Sequence, residues 1–158
     1  MFREMRRFKQ QITKEECDAV LESAMRGVLA VLGDDDYPYA IPMDFYYDKD
    51  AQKIYFHGAG EGHKIDAVKK HHKVSFCVMD EGYKNPGEWW FNIKSVVVFG
   101  KITIMEDRDE IISACRKLGG KYFPDADYTD REIKSAGNRV CCLELKIDHM
   151  TGKRVKEN

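Results

Sequence analysis

Residues 57–66 read HGAGEGHKID, and this stretch concentrates the groups best suited to holding a ligand. Gly58, Gly60 and Gly62 can turn backbone N–H groups inward and let an anion approach closely. His63 and Lys64 follow at the expected start of a helix, whose free N–H groups and positive dipole end favour negative charge. A phosphate monoester calls for such donors, main-chain amides joined by an ammonium group. A mobile turn ahead of a solvated helix accounts for the same letters, and the spacing is neither GxGxxG nor a P-loop. The residues alone leave both readings open.

A metal centre fits less well. His57, His63, His71 and His72 lie near one another in sequence. Adjacent His71 and His72 would point about 100° apart on a helix. Neither pairs with another histidine at i, i+4, and HExxH is missing, so no metal ligand is assigned. The five cysteines are odd in number and form no CxxC, which supports neither a disulfide framework nor a zinc ribbon. Cys141 and Cys142 would face opposite sides of a strand, so at most one is expected inside a barrel. Trp89 and Trp90 could stack on an aromatic ligand, but large aromatics more often anchor cores and interfaces. No serine sits in a GxSxG elbow. No catalytic residue is named, and any chemistry is expected to come from a cofactor held and oriented by the protein.

The elements that must position these groups follow from the pattern. TKEECDAVLESAMR (13–26) reads as a helix with a capping box from Thr13 to Glu16 and a stop at Gly27. GVLAVLG, YAIPMDFYYD and KIYFH read as three strands in hairpins, with Pro42 marking an edge or a bulge. KVSFCVMD and the long WWFNIKSVVVFGKITIME are further strands, the latter bent by a bulge at Gly100. DRDEIISACRKLG and TDREIKSAG are helices, the second with Thr129 as its expected cap. NRVCCLELKIDHMTGK is a last strand ending in a turn. About six strands without regular βαβα alternation predict a mainly β fold, a small antiparallel barrel with peripheral helices.

Composition sets the outer bounds. The 158 residues suit a single domain spanning 1–158, with 43% apolar and 34% charged residues. A net charge of −1 without a basic stripe gives no reason to expect nucleic acid. No run approaches the roughly 20 apolar residues that span a bilayer. The basic start MFREMRRFKQQ lacks a signal peptide's apolar stretch, so the cytoplasm is the expected location.

Three stretches, HGAGEGHKID, SVVVFGK and IDHMTGK, stand in an order similar to the FMN-binding split-barrel superfamily of pyridoxamine 5'-phosphate oxidase. The chain most resembles the nitroimidazole-resistance branch, over about residues 3–153. The resemblance implies a split antiparallel β-barrel and a homodimer with one FMN at each end of the interface. It implies that Phe56, His57 and Gly58 line the ribityl and phosphate path. His63 and Lys64 would meet the phosphate. The backbone of Ile41, Pro42 and Met43 would bond the pyrimidine edge of the ring, and Ser95 would approach the flavin across the dimer. His57 is a candidate proton donor there, with a structural role as the simpler reading. The implied activity is an FMN-dependent oxidoreductase, taking electrons from NAD(P)H to a nitroaromatic or quinone-type acceptor. A flavin-binding store, sensor or redox partner without turnover is the alternative, and haem in the same barrel is a third. Two departures matter. His63 stands where the oxidase has a second basic residue, so charge there depends on pH. The tail LKIDHMTGKRVKEN has no tryptophan and no arginine–histidine substrate motif, so pyridoxamine phosphate oxidation is not expected.

Overall fold

A computed structural model describes residues 1–123 and 125–155. Positions 124 and 156–158 of the expected domain, including the end of the tail, lie outside the described residues. The helix α1 (Lys14–Ser23) opens with the anticipated capping box: the Thr13 hydroxyl accepts from the Glu16 N–H, and the Glu16 carboxylate accepts from the Thr13 N–H. It ends sooner than expected. Ala24 is already extended, and Gly27 belongs to β1 (Arg26–Leu32), where a Cβ would strike the Phe76 ring. Gly27 is thus required by packing and does not stop the helix.

The remaining elements are β2 (Pro38–Asp44), β3 (Tyr46–Asp48), β4 (Lys53–Ala59), α2 (His63–Lys70), β5 (Lys73–Met79), β6 (Ile93–Ile104), α3 (Arg108–Tyr122), α4 (Ala126–Ala136) and β7 (Val140–Val155). The seven strands form one sheet in the order β2-β1-β5-β6-β7-β4-β3, with every pairing antiparallel. The sheet curls until β2 approaches β4, giving the split barrel.

Seven strands replace the expected six because YAIPMDFYYD breaks at Phe45. There the Tyr122 hydroxyl accepts the Phe45 N–H at 2.8 Å, in place of a ladder partner. β2 and β3 consequently sit at opposite ends of the sheet. β1–β2 and β3–β4 are the anticipated hairpins, and Pro42 does lie on an edge strand. The Gly100 bulge is also present, as a register shift between Phe99 and Gly100.

Alternation places Leu29, Val31, Phe76, Val78, Val96 and Val98 inside the curl. Phe76 meets Phe45 and Phe56 edge-on, with centroids 4.9 and 5.1 Å away. A second cluster, Tyr55, Ile111, Ala114, Cys115, Leu118 and Cys142, lies under α3. The vicinal cysteines face opposite sides of β7 as expected, and only one of them lies inside the barrel. Cys141 faces the main core and Cys142 the α3 layer, so both are buried. Two corrections concern ends. α4 is capped by Asp125, which accepts from the Tyr128 N–H, while Thr129 is buried against Gly119. β7 runs through Gly152 to Val155 without the expected turn, covered by Ile12 and Cys17.

Candidate functional site

β4 delivers the glycine stretch. Its pairing with β7 continues through Gly58 and Ala59, so the backbone leaves the sheet only at Gly60. Gly62 has φ 107°, a left-handed conformation that favours glycine, and it turns the chain into α2. No side chain caps this helix, which leaves its N-terminal end to an external acceptor. Ile65 and Val68 anchor α2 in the core, which fixes where its first turn points.

Lys64 lies in that first turn and is half-buried. Its Nζ stands 3.6 Å from Met43 Sδ on β2. A Cβ at Gly58 would stand 3.2 Å from the same nitrogen, so the missing side chain makes room for the ammonium group. Three elements thus converge on one cation: the edge strand β2, the end of β4 and the start of α2. Ten ion pairs occur among the described residues, and none includes Lys64. A half-buried ammonium beside a thioether and a glycine backbone is a strong donor without an anion.

His63 is placed otherwise. Its ring stacks on Tyr39 at 4.3 Å, and its Nε2 accepts from the Asp34 N–H at 3.2 Å. The Asp34 carboxylate is 3.6 Å away and also meets Lys70 at 3.3 Å. The side chain therefore ties α2 to the β1–β2 turn.

The other anticipated residues divide by strand face. Met43 and Ile41 pack toward the core, and Pro42 is exposed on the outside. Among the described residues the far edge of β2 has no strand partner, so its backbone is open to a ligand. Phe56 is fully buried and reaches a ligand only by shaping β4. His57, next along, faces the opposite side, into a cavity of about 420 Å³ also lined by Asp44, Cys115, Tyr122 and Glu132. Ser95 sits on β6 between Met79 and Lys153, with β5 and β1 separating it from β2. The structure thus brings Met43, Gly58 and Lys64 together and leaves Ser95 apart within one chain. The α3–α4 cavity and the Met43 side-chain contact were missed in the sequence. Period-2 spacing through Tyr39, Ile41 and Met43 was the available signal for the second. Nothing local signals the first, because the cavity depends on how α3 and α4 pack.

Among the described residues no helix is long and apolar enough to cross a membrane. A family profile described as pyridoxamine 5'-phosphate oxidase matches residues 13–154. No curated protein matches the chain. Among solved structures, a candidate 5-nitroimidazole antibiotic resistance protein from Bacteroides thetaiotaomicron shares 21% identity over 93% of this chain and 90% of its own, with a TM-score of 0.75. A conserved hypothetical protein from Mycobacterium tuberculosis shares 16% identity over 95% and 90%, with a TM-score of 0.79. An FAD-binding protein from Mesorhizobium loti shares 22% identity over 94% and 97%, with a TM-score of 0.64. At these identities the likeness establishes the fold.

Proposed function

The chain belongs to the pyridoxamine 5'-phosphate oxidase family, and on that footing we propose that it binds FMN and passes electrons from NAD(P)H to a small nitroaromatic or quinone-type acceptor. The observation that carries this reading is the Lys64 ammonium, half-buried beside Gly58 and Met43 with no carboxylate partner among the described residues. A dianionic phosphate at this point would satisfy the cation and the uncapped end of α2 together. The FAD-binding description of the Mesorhizobium loti protein supports a flavin as the ligand class.

When bound, FMN supplies hydride acceptance and electron delivery. The protein's own residues hold and screen it. Lys64 and the amides of residues 60–64, beyond the end of β4, would grip the phosphate. The free edge of β2 at Ile41, Pro42 and Met43 offers backbone groups to the polar edge of the ring. Phe56 keeps β4 rigid from the core, and His63 fixes the approach of α2 through Tyr39 and Asp34.

A homodimer completes the proposal. Pro42, Val28, Cys77 and Val97 stand side by side in register on the outer sheet face. Val28, Met79 and Phe99 on that face are 40–62% exposed. A second copy packed there would cover this apolar row and bring Ser95 toward its partner's flavin.

The visible spectrum of the purified protein, before and after NAD(P)H, tests the function. Flavin bands that bleach rapidly in stopped flow and recover with a quinone are expected. Bound flavin that NAD(P)H does not bleach would leave a binding module. A protein that takes up no FMN, or that shows a Soret band instead, would overturn the assignment.

A further inference from the structure

Outside the phosphate cluster, the α3–α4 cavity holds a second chemical arrangement. Cys115, near the middle of α3, and Cys142, on β7, bring their sulfurs to 3.5 Å. Both side chains are buried, yet Cys115 lines the cavity of about 420 Å³ that opens between α3, α4 and the sheet. We propose that Cys115 and Cys142 form a peroxide-reactive dithiol, which closes to a disulfide bridging α3 and β7.

The roles follow from access. Cys115 meets the cavity, so it receives the oxidant; Cys142 lies behind it and has no exposed surface. The Cys115 thiolate attacks one oxygen of hydrogen peroxide. The O–O bond breaks, Cys115 becomes a sulfenic acid, and hydroxide leaves and takes a proton to become water. The Cys142 sulfur then attacks the Cys115 sulfur. The S–S bond forms, the S–O bond breaks, and the second water carries off the Cys142 proton. Two thiols lose two electrons and two protons, and one peroxide is reduced to two waters. The Cys142 thiol donating to Cys115, with the Arg108 guanidinium nearby, favours the Cys115 thiolate that starts the sequence. Cys17 and Cys77 lack this arrangement, since burial raises both thiols. None of this depends on the flavin.

The test uses the full-length protein, reduced and then treated with a slight excess of hydrogen peroxide. Remaining thiols are alkylated and the peptides mapped. Loss of two of the five thiols, with one linked peptide pair joining Cys115 to Cys142 and reversal by dithiothreitol, is expected. Because Cys141 adjoins Cys142, Cys141→Ser should keep the link. Cys142→Ser should stop at a sulfenic acid on Cys115 that dimedone captures. Five thiols surviving in the wild-type protein, or a link formed through Cys141, would overturn the proposal without reference to any variant.

Discussion

At the scale of single residues, the electrostatics of two positions lead to measurable outcomes. Lys64→Ala removes one charge-assisted hydrogen bond to the proposed phosphate, worth about 1.5–3 kcal/mol, or roughly 10- to 150-fold in FMN affinity. Fluorescence titration reads this directly, and unchanged affinity would move the phosphate elsewhere. Cys115 gives a pH dependence. The hydrogen bond from Cys142 outweighs burial and holds its thiol down to about 7, while Cys142, as the donor, is pushed up. Asp44, His57, Tyr128 and Glu132 line the same cavity from other elements, and Tyr122 and Arg108 lie on its own helix. The thiolate is the form present above that pH. Alkylation of Cys115 by a small maleimide should therefore fall off below about pH 7, while Cys17, raised to about 11 chiefly by burial, stays unreactive throughout. A single common profile for both cysteines, followed by peptide mapping, would contradict this.

Among the elements, the bend of β6 is the most exposed to test. At Gly100 the register shifts, and a Cβ there would run into the Lys146 carbonyl of β7. Gly100→Ala should cost about 1–3 kcal/mol in urea denaturation, since the obstacle is backbone that cannot swing away. This bend was legible beforehand, because an isolated glycine inside a strand pattern marks a close approach. The α1 cap and the edge position of Pro42 were legible for similar local reasons. The Thr129 capping box was not reliable: Asp125 captures the helix start four residues earlier, and Thr129 is used to pack on Gly119. The break at Phe45 was hidden because its cause, the Tyr122 hydroxyl, lies 77 positions away in sequence. The burial of both vicinal cysteines was hidden likewise. An alternating strand with a helix laid on its outer face cannot be told from one facing water without knowing where α3 docks. Within the candidate site, the glycine turn and Lys64 could be read from the letters, whereas the anchoring of His63 by Tyr39 and Asp34 could not.

For the whole molecule, the apolar outer face makes assembly the measurable property. Val97→Lys places a charge in the centre of the Val28–Cys77–Val97 row, where one chain alone tolerates it. The variant should keep its thermal stability, elute from size-exclusion chromatography as one chain, and lose affinity for the proposed FMN together with the proposed dimer. Retention of the wild-type elution position would place the contact on another face. β7 has one more consequence. Among the described residues it is the sole strand that joins the β3–β4 hairpin to the rest of the sheet. During synthesis, the first four-strand block, β2-β1-β5-β6, can assemble once residue 104 has left the ribosome, but the hairpin has nowhere to dock until residues 140–146 emerge. Between residues 104 and 140 the nascent chain therefore has α2 free to settle on the first block while the strand that carries Gly58 is still adrift, so the proposed grip on a flavin phosphate must wait for β7.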